Sequence, residues 1–216
     1  MINNICNNGN IHLIGIQDKY RSRTIEAVAR GLDSASKLLK YTDPVDVAVF
    51  DSEDWDVHDR LNLSAHARLY YIDVKICYYR KNLDLSYLFN IDLPATLHHE
   101  LSHVVRANSV GYAENLLQNF IDEGIACYIE ESSGLVSERP YTKSIKDELK
   151  YLDEARVHFQ DKITGSLHSR WFYGSEDLPE WIGYRIGYLM VKRYIEDTLI
   201  EIDKLVRTKA EIIVGL

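Results

Sequence analysis

His99-Glu100-Leu101-Ser102-His103 is the stretch on which the reading of this chain turns. On a helix, at about 100° per residue, positions i and i+4 lie roughly 40° apart and one turn along, so both imidazoles can reach one metal ion. Glu100 then faces a water on that ion, the arrangement on which zinc hydrolases with an HExxH pentapeptide are built. With eight histidines in 216 residues, chance places such a pentapeptide somewhere with odds on the order of one in fifty. The surroundings therefore carry the argument.

A helix is expected around the pentapeptide. Asp92-Leu93-Pro94 offers a carboxylate N-cap and a first-turn proline, and Ala95 to Arg106 follow without a breaker. Leu97, Leu101, Val104 and Val105 form its apolar stripe, and Asn108-Ser109-Val110-Gly111 stops it. A second helix is expected from about Ala113 to Glu131, burying Leu116, Leu117, Phe120, Ile121, Ile125 and Ile129. The short turn separating the two predicts antiparallel packing.

A zinc site that catalyses takes three protein ligands and leaves a fourth position for water, so a third ligand is sought on the second helix. Glu123 is the choice: it follows His103 by 20 positions, enough to leave one helix, turn and return. Gly124 and Ala126 flank it with small side chains that let helices approach closely. Asp122, Glu114 and Glu130 are the competing carboxylates. Asp122 points about 100° away from Glu123, and the other two lie roughly two turns off in opposite directions. His98 points about 100° from His99 and reads as a group behind the site or on the surface.

Composition bounds the rest. At 216 residues and 46% hydrophobic content the chain can bury a full core, and it reads as one domain over 1–216. An N-terminal α/β part spans 1–90 and a helical part 91–216. The net charge of −8, with both signs interspersed, argues against nucleic acid or an anionic membrane as partner. Cys6, Cys77 and Cys127 are odd in number and form no CxxC pair, so neither a disulfide framework nor a cysteine zinc cluster is expected and a reducing cytoplasm is the default. Met1-Ile2-Asn3-Asn4 lacks a basic start, and no apolar run of about 18 residues appears, so neither a removed signal nor a membrane anchor is expected.

Along the chain, strands are expected at Ile11 to Ile16 and Val45 to Phe50, with an amphipathic helix from Ser22 to Tyr41. Arg68 to Tyr79 reads as two strands or a hairpin broken near Asp73. A small sheet preceding the HExxH helix suits an edge strand that pairs with an extended peptide. Later, Ser144 to about Gln160 looks helical, Lys162 to Ser175 reads as an irregular flap, Pro179 to Asp197 as a strong helix and Leu199 to Val206 as a short final one.

Taken together, these residues resemble the YjaZ-like family of predicted zinc-dependent proteases, uncharacterised bacterial domains within the gluzincin group. That family shows HExxH, then a helix bearing E-G-L-A, then P-x-W-x-G-Y-x-x-G-Y. Here stand His99 to His103, Glu123-Gly124-Ile125-Ala126, and Pro179-Glu180-Trp181-Ile182-Gly183-Tyr184-Arg185-Ile186-Gly187-Tyr188, in that order over about half of the chain. Two positions depart: Ser102 stands where relatives often carry a further histidine, and Ile125 where they carry leucine. The resemblance implies an α+β, zincin-like (gluzincin) fold, a small N-terminal sheet followed by a mostly helical half. It implies Zn2+ held by His99, His103 and Glu123, Glu100 as general base, and a peptide or protein as substrate.

Peptide hydrolysis through a tetrahedral intermediate needs a donor for the developing oxyanion. Tyr184 is the first choice, with Arg185, Tyr188 and His168 behind it, although Trp181, Tyr184 and Tyr188 recur at the spacing of a packed helix face. Gly183 and Gly187 read as close helix contacts. Arg106 is a partner for Glu114 or Glu130, and Asp122 a hydrogen-bond partner for a ligand imidazole. Two rivals keep the metal: a zinc-containing peptide-binding or regulatory protein with little turnover, and a structural site that Cys127 closes as fourth ligand.

Overall fold

A computed structural model describes residues 2–3 as backbone and residues 9–52 and 61–215 with side chains. Cys6, and Asn7-Asn8 of the N-terminal turn, lie outside the described residues. The architecture is α+β, a small N-terminal sheet followed by a mostly helical remainder. The chain forms two compact units: Met1–Asn108 with Glu130–Val136, and Ser109–Ile129 with Ser137–Leu216.

The first unit is built on a five-stranded sheet of order β1-β2-β3-β5-β4. Its strands are β1 (Ile2–Asn3), β2 (Asn10–Ile14), β3 (Asp46–Asp51), β4 (Leu63–Arg68) and β5 (Tyr71–Ile76). β2, β3 and β5 run parallel, while β1 and β4 pair antiparallel on the outside. The register sets Ile11, Val47 and Ile72 side by side, then Leu13, Val49 and Val74, so one face is a block of branched apolar side chains. Helix α1 (Asp18–Leu39) links β2 to β3 and buries Ala27, Val28, Gly31, Leu32, Ala35 and Leu39.

The β4–β5 hairpin turns at Leu69-Tyr70, with Arg68 paired to Tyr71, rather than breaking near Asp73. Asp73 is an interior strand residue: Ile72, Val74 and Ile76 are buried and the positions alternating with them are less so. An acidic side chain on the wetter face of a strand does not interrupt it.

The helical run leading to the pentapeptide begins earlier than Asp92. Asp84 caps it, accepting from the backbone N–H of Ser86 at 2.8 Å and of Tyr87 at 3.0 Å. A short α2 (Leu85–Tyr87) passes through a π-helical turn (Leu88–Asp92) into α3 (Leu93–Ser109). The register change ends just ahead of Pro94, whose ring has no N–H to give to an ordinary helical turn. Asp92 is thus buried inside the run, accepting a hydrogen bond from the Asn62 amide, and is no cap. α3 packs on α1 where Gly31 meets Pro94: a Cβ at Gly31 would stand 2.8 Å from the Pro94 Cα.

The second unit contains most of α4 (Leu116–Ser132), whose last turn from Glu130 belongs to the first. It continues with α5 (Glu148–Arg156), α6 (Gly165–Phe172), α7 (Ile182–Thr198), α8 (Ile202–Leu205) and α9 (Ala210–Val214). α4 starts three residues later than expected because Asn115 takes the cap: its side chain accepts from the Gln118 N–H at 2.9 Å, while Gln118 accepts from the Glu114 N–H at 2.8 Å. The core joins Leu116, Phe120, Trp171, Phe172, Leu178, Ile182 and Ile186. Phe120 stands edge-on to Trp171 at 5.3 Å between ring centroids, a favoured aromatic geometry.

Residues 162–175, expected as a flap, instead hold α6. Thr164 caps it by accepting from the Leu167 N–H at 3.2 Å, and Trp171 and Phe172 are fully buried. Two large aromatics at the end of a polar stretch fasten it to the core, which outweighs the loop-like composition before them. α7 begins at Ile182 after Trp181, a buried side chain held at φ 65°, in the left-handed region that bulky residues avoid.

Candidate metal centre

α3 displays the pentapeptide as helical geometry dictates. The rings of His99 and His103 lie with centroids 5.0 Å apart and planes at 68°. Leu101, Val104 and Val105 are buried on the same helix and fix its rotation, so the two imidazoles face one way. Ligand atoms of His99, His103 and Glu123 lie within 4.8 Å of one another. No further group of three His, Cys, Asp or Glu side chains converges in this way among the described residues. Two imidazoles and one carboxylate are the donor set of an open zinc site, with bonds of about 2.0–2.2 Å that modest side-chain rotation can close. Cys127 is buried and stands outside that group, which disfavours the closed four-ligand site.

Glu100, between the imidazoles in sequence, is buried. Ser102, where relatives often carry histidine, is fully buried and donates its hydroxyl to the His99 carbonyl at 2.6 Å. A larger polar ring has no room in that place unless its neighbours move.

Nδ1 of His99 sits 3.5 Å from Oε2 of Glu130, a carboxylate only 1% exposed. Glu130, weighed from sequence as a competing ligand, thus stands on the Nδ1 side of an imidazole, a place where carboxylates orient ligand histidines. The difference of seven positions from Glu123 is two helical turns, which the sequence shows as distance along α4 and not as contact with α3.

His98 is a structural tie and not a surface group. It is 2% exposed, with Nδ1 2.8 Å from the Pro94 carbonyl and Nε2 3.1 Å from the Ser34 hydroxyl on α1. Burial pushes its pKa down, which keeps the ring neutral.

Helix packing in the second unit fixes Glu123. A Cβ at Gly124 would fall on the carbonyl of Gly187, and one at Gly187 on the carbonyl of Phe120, so α4 and α7 touch backbone to backbone beside the carboxylate. Gly183 serves a smaller purpose, with the Phe172 ring over it. Among the residues considered for oxyanion stabilisation, Arg185 is committed elsewhere: Nε donates to Glu148 at 2.8 Å and a terminal nitrogen to the Thr142 carbonyl. That hydrogen-bonded guanidinium holds the Glu148 carboxyl below its usual range. Tyr188 is buried, its hydroxyl accepting from Lys192 at 3.2 Å. The Tyr184 ring packs edge-on to Phe172 at 5.0 Å and lies 5.3 Å from Tyr141.

Three residues enter this neighbourhood that sequence left aside or ranked low. Asn119 stands one turn before Glu123 on α4, and its Oδ1 lies 2.8 Å from Nδ1 of His168 on α6. Tyr173, just past α6, has its phenol pKa raised, chiefly by burial and then by the Glu123 carboxylate. The i,i+4 spacing of Asn119 and Glu123 was readable in sequence; that α6 existed to meet them was not.

No helix among the described residues is long and apolar enough to cross a membrane. No curated protein and no solved structure matches this chain. A family model described as a predicted Zn-dependent protease (DUF2268) matches residues 26–215. With nearly the whole length covered, the chain belongs to the DUF2268 family of predicted Zn-dependent proteases, in keeping with its YjaZ-like motifs.

Proposed function

We propose that this protein is a zinc-dependent metallopeptidase that hydrolyses peptide bonds, with His99, His103 and Glu123 as ligands and Glu100 as general base. The convergence of the three donor side chains carries the reading, and the family description supports the metal and the reaction class. His99, His103 and Glu123 would hold zinc, which when bound would supply a Lewis acid for the scissile carbonyl and lower the pKa of a water there to about 7.

The chain's own residues do the rest. Glu130, 3.5 Å from Nδ1 of His99, would orient that ring so that its other nitrogen could hold the metal. Glu100 takes the proton of the attacking water and delivers it to the leaving amine as the C–N bond breaks. Tyr184 donates its phenol hydrogen to the developing oxyanion.

Elemental analysis and cleavage of a mixed peptide library test the reading together. One zinc per chain is expected in the wild type and its loss in His103→Ala and Glu123→Ala, with cleavage abolished in Glu100→Gln. Zinc with no cleavage of any peptide would move the protein to the class of zinc-containing binding or regulatory proteins. A wild type without zinc would sink both.

A further inference from the structure

A cavity of about 500 Å³ is lined entirely by residues of the first unit, on the sheet and on α1. It shares no residue with the metal centre. Cross-strand partners point to one face of a sheet, and so do alternate residues of a strand. The register therefore puts three rows on one face: Asp46 beside Tyr71, then His12 beside Ala48, then Ile14. All five line the cavity. Ala48, only 8% exposed, is the low point among larger neighbours. α1 adds Arg21 and Ile25, one helical turn apart.

Opposite charges stand at the two ends. Asp46 is in the first row, where its Oδ1 accepts from the Asn10 backbone N–H at 2.8 Å and from the Asn10 amide at 3.1 Å. Its Oδ2 meets Nε2 of His12 at 3.4 Å, longer than a good N–H···O bond, and the side chain is 42% exposed. Burial acts to raise the Asp46 pKa, but the Asn10 hydrogen bonds and His12 outweigh it and hold the carboxyl below its usual range. At the far end the Arg21 guanidinium lies 3.5 Å from the Ile16 carbonyl, two residues past Ile14, with no tighter hydrogen bond among the described residues. From the Asp46 row to Ile14 is four residues of strand, roughly 13 Å. An acid and a base with hydrogen-bonding capacity to spare thus flank a partly apolar hollow.

We propose that this cavity binds a short free peptide of about four residues, extended along β2, with its terminal ammonium on Asp46 and its terminal carboxylate on Arg21. An extended chain covers at most about 3.3–3.6 Å per residue, so four residues reach from one charge to the other. The guanidinium fork matches a carboxylate with two parallel N–H···O bonds. Asp46 Oδ2 has lone pairs left for an ammonium. Apolar side chains of the peptide meet Ala48, Ile14 and Ile25. An internal segment of a longer protein lacks both end charges, which is why the ligand class is free peptides. The site goes beyond the peptidase reading and does not depend on it.

The test is isothermal titration calorimetry of the full-length Glu100→Gln protein, chosen so that turnover does not consume the probe, with the tetrapeptide Val-Ala-Ala-Val. One peptide per chain is expected to bind. Its N-acetylated form, its C-terminal amide and the dipeptide Val-Val, too short to reach both ends, should each bind at least about tenfold more weakly. Arg21→Gln should weaken the free tetrapeptide by a similar factor and erase the effect of amidation. Asp46→Asn, which keeps a carbonyl oxygen for Asn10, should erase the effect of acetylation instead. Should Asp46→Asn fail to fold, Arg21→Gln on the exposed flank of α1 decides alone. A tetrapeptide that binds regardless of its end groups, that still discriminates against the amide in Arg21→Gln, or that fails to bind at millimolar concentration overturns the site. Neither zinc content nor turnover enters these readings, so failure of the peptidase reading is seen separately.

Discussion

Each site residue carries an expectation of its own. Glu100→Gln keeps the shape of the side chain and removes its basicity, so zinc content should stay at one per chain while kcat falls about 10²–10⁴-fold; elemental analysis beside steady-state kinetics reads both. Glu130→Ala removes the carboxylate behind His99 and should weaken zinc about 10–100-fold in a competitive chelator titration. Unchanged zinc affinity in that variant would show that the 3.5 Å approach does no orienting. His99, Glu100 and His103 were legible because i,i+4 geometry on a helix is set locally by 3.6 residues per turn. Glu130 was visible only as one carboxylate among four, since its meeting with His99 depends on how one helix lies on another. His98 shows the converse: its sequence position spoke of a place off the metal, but the depth of its burial came from α1 crossing at Gly31 and Ser34.

Helix contacts add a second set of expectations. α4 and α7 meet at Gly124 and Gly187, where an added methyl would run into backbone that cannot swing aside. Gly124→Ala should cost at least about 2 kcal/mol, which a thermal melt would register as a fall of roughly 4–8 °C for a chain of this size. The pair linking α5 to α7 predicts a pH effect. Arg185 lowers the Glu148 pKa from its ordinary 4.5, so as acid is added the unfolded chain takes up this proton before the folded one does. The pair's stabilisation is therefore full above that value and drains away as pH falls through and below it. Glu148→Gln, which cannot titrate, should melt below wild type at neutral pH and close the gap over roughly pH 5 to 3; a gap independent of pH would contradict the assignment. Helices with strong apolar periodicity, such as α1 and α7, were legible to within a few residues, because burial of one face decides them. α6 was not, for its polar half gives no periodic signal and its anchors, Trp171 and Phe172, act only once a core is there to receive them.

For the molecule as a whole, zinc and stability are linked. A ligand that binds the native state and not the unfolded chain stabilises by about 4 kcal/mol at a thousand times its Kd. Chelation should therefore lower the wild-type Tm by roughly 8–16 °C, and leave Glu123→Ala, already without its ligand, nearly unmoved. A wild-type melt indifferent to chelator and to added zinc would argue against a high-affinity site. Sequence by itself determined the α+β class of fold, the pentapeptide on its helix and the close-packing glycines beside Glu123. These follow from local periodicity, fixed spacings and side-chain size, which are properties of neighbours in the chain. Tertiary structure alone decided that the hairpin turns at Leu69-Tyr70, that Glu130 faces His99, and that Gly165–Phe172 fold into a helix placing His168 against Asn119. These depend on contacts among segments far apart in the chain, where burial and close packing override what each segment prefers alone.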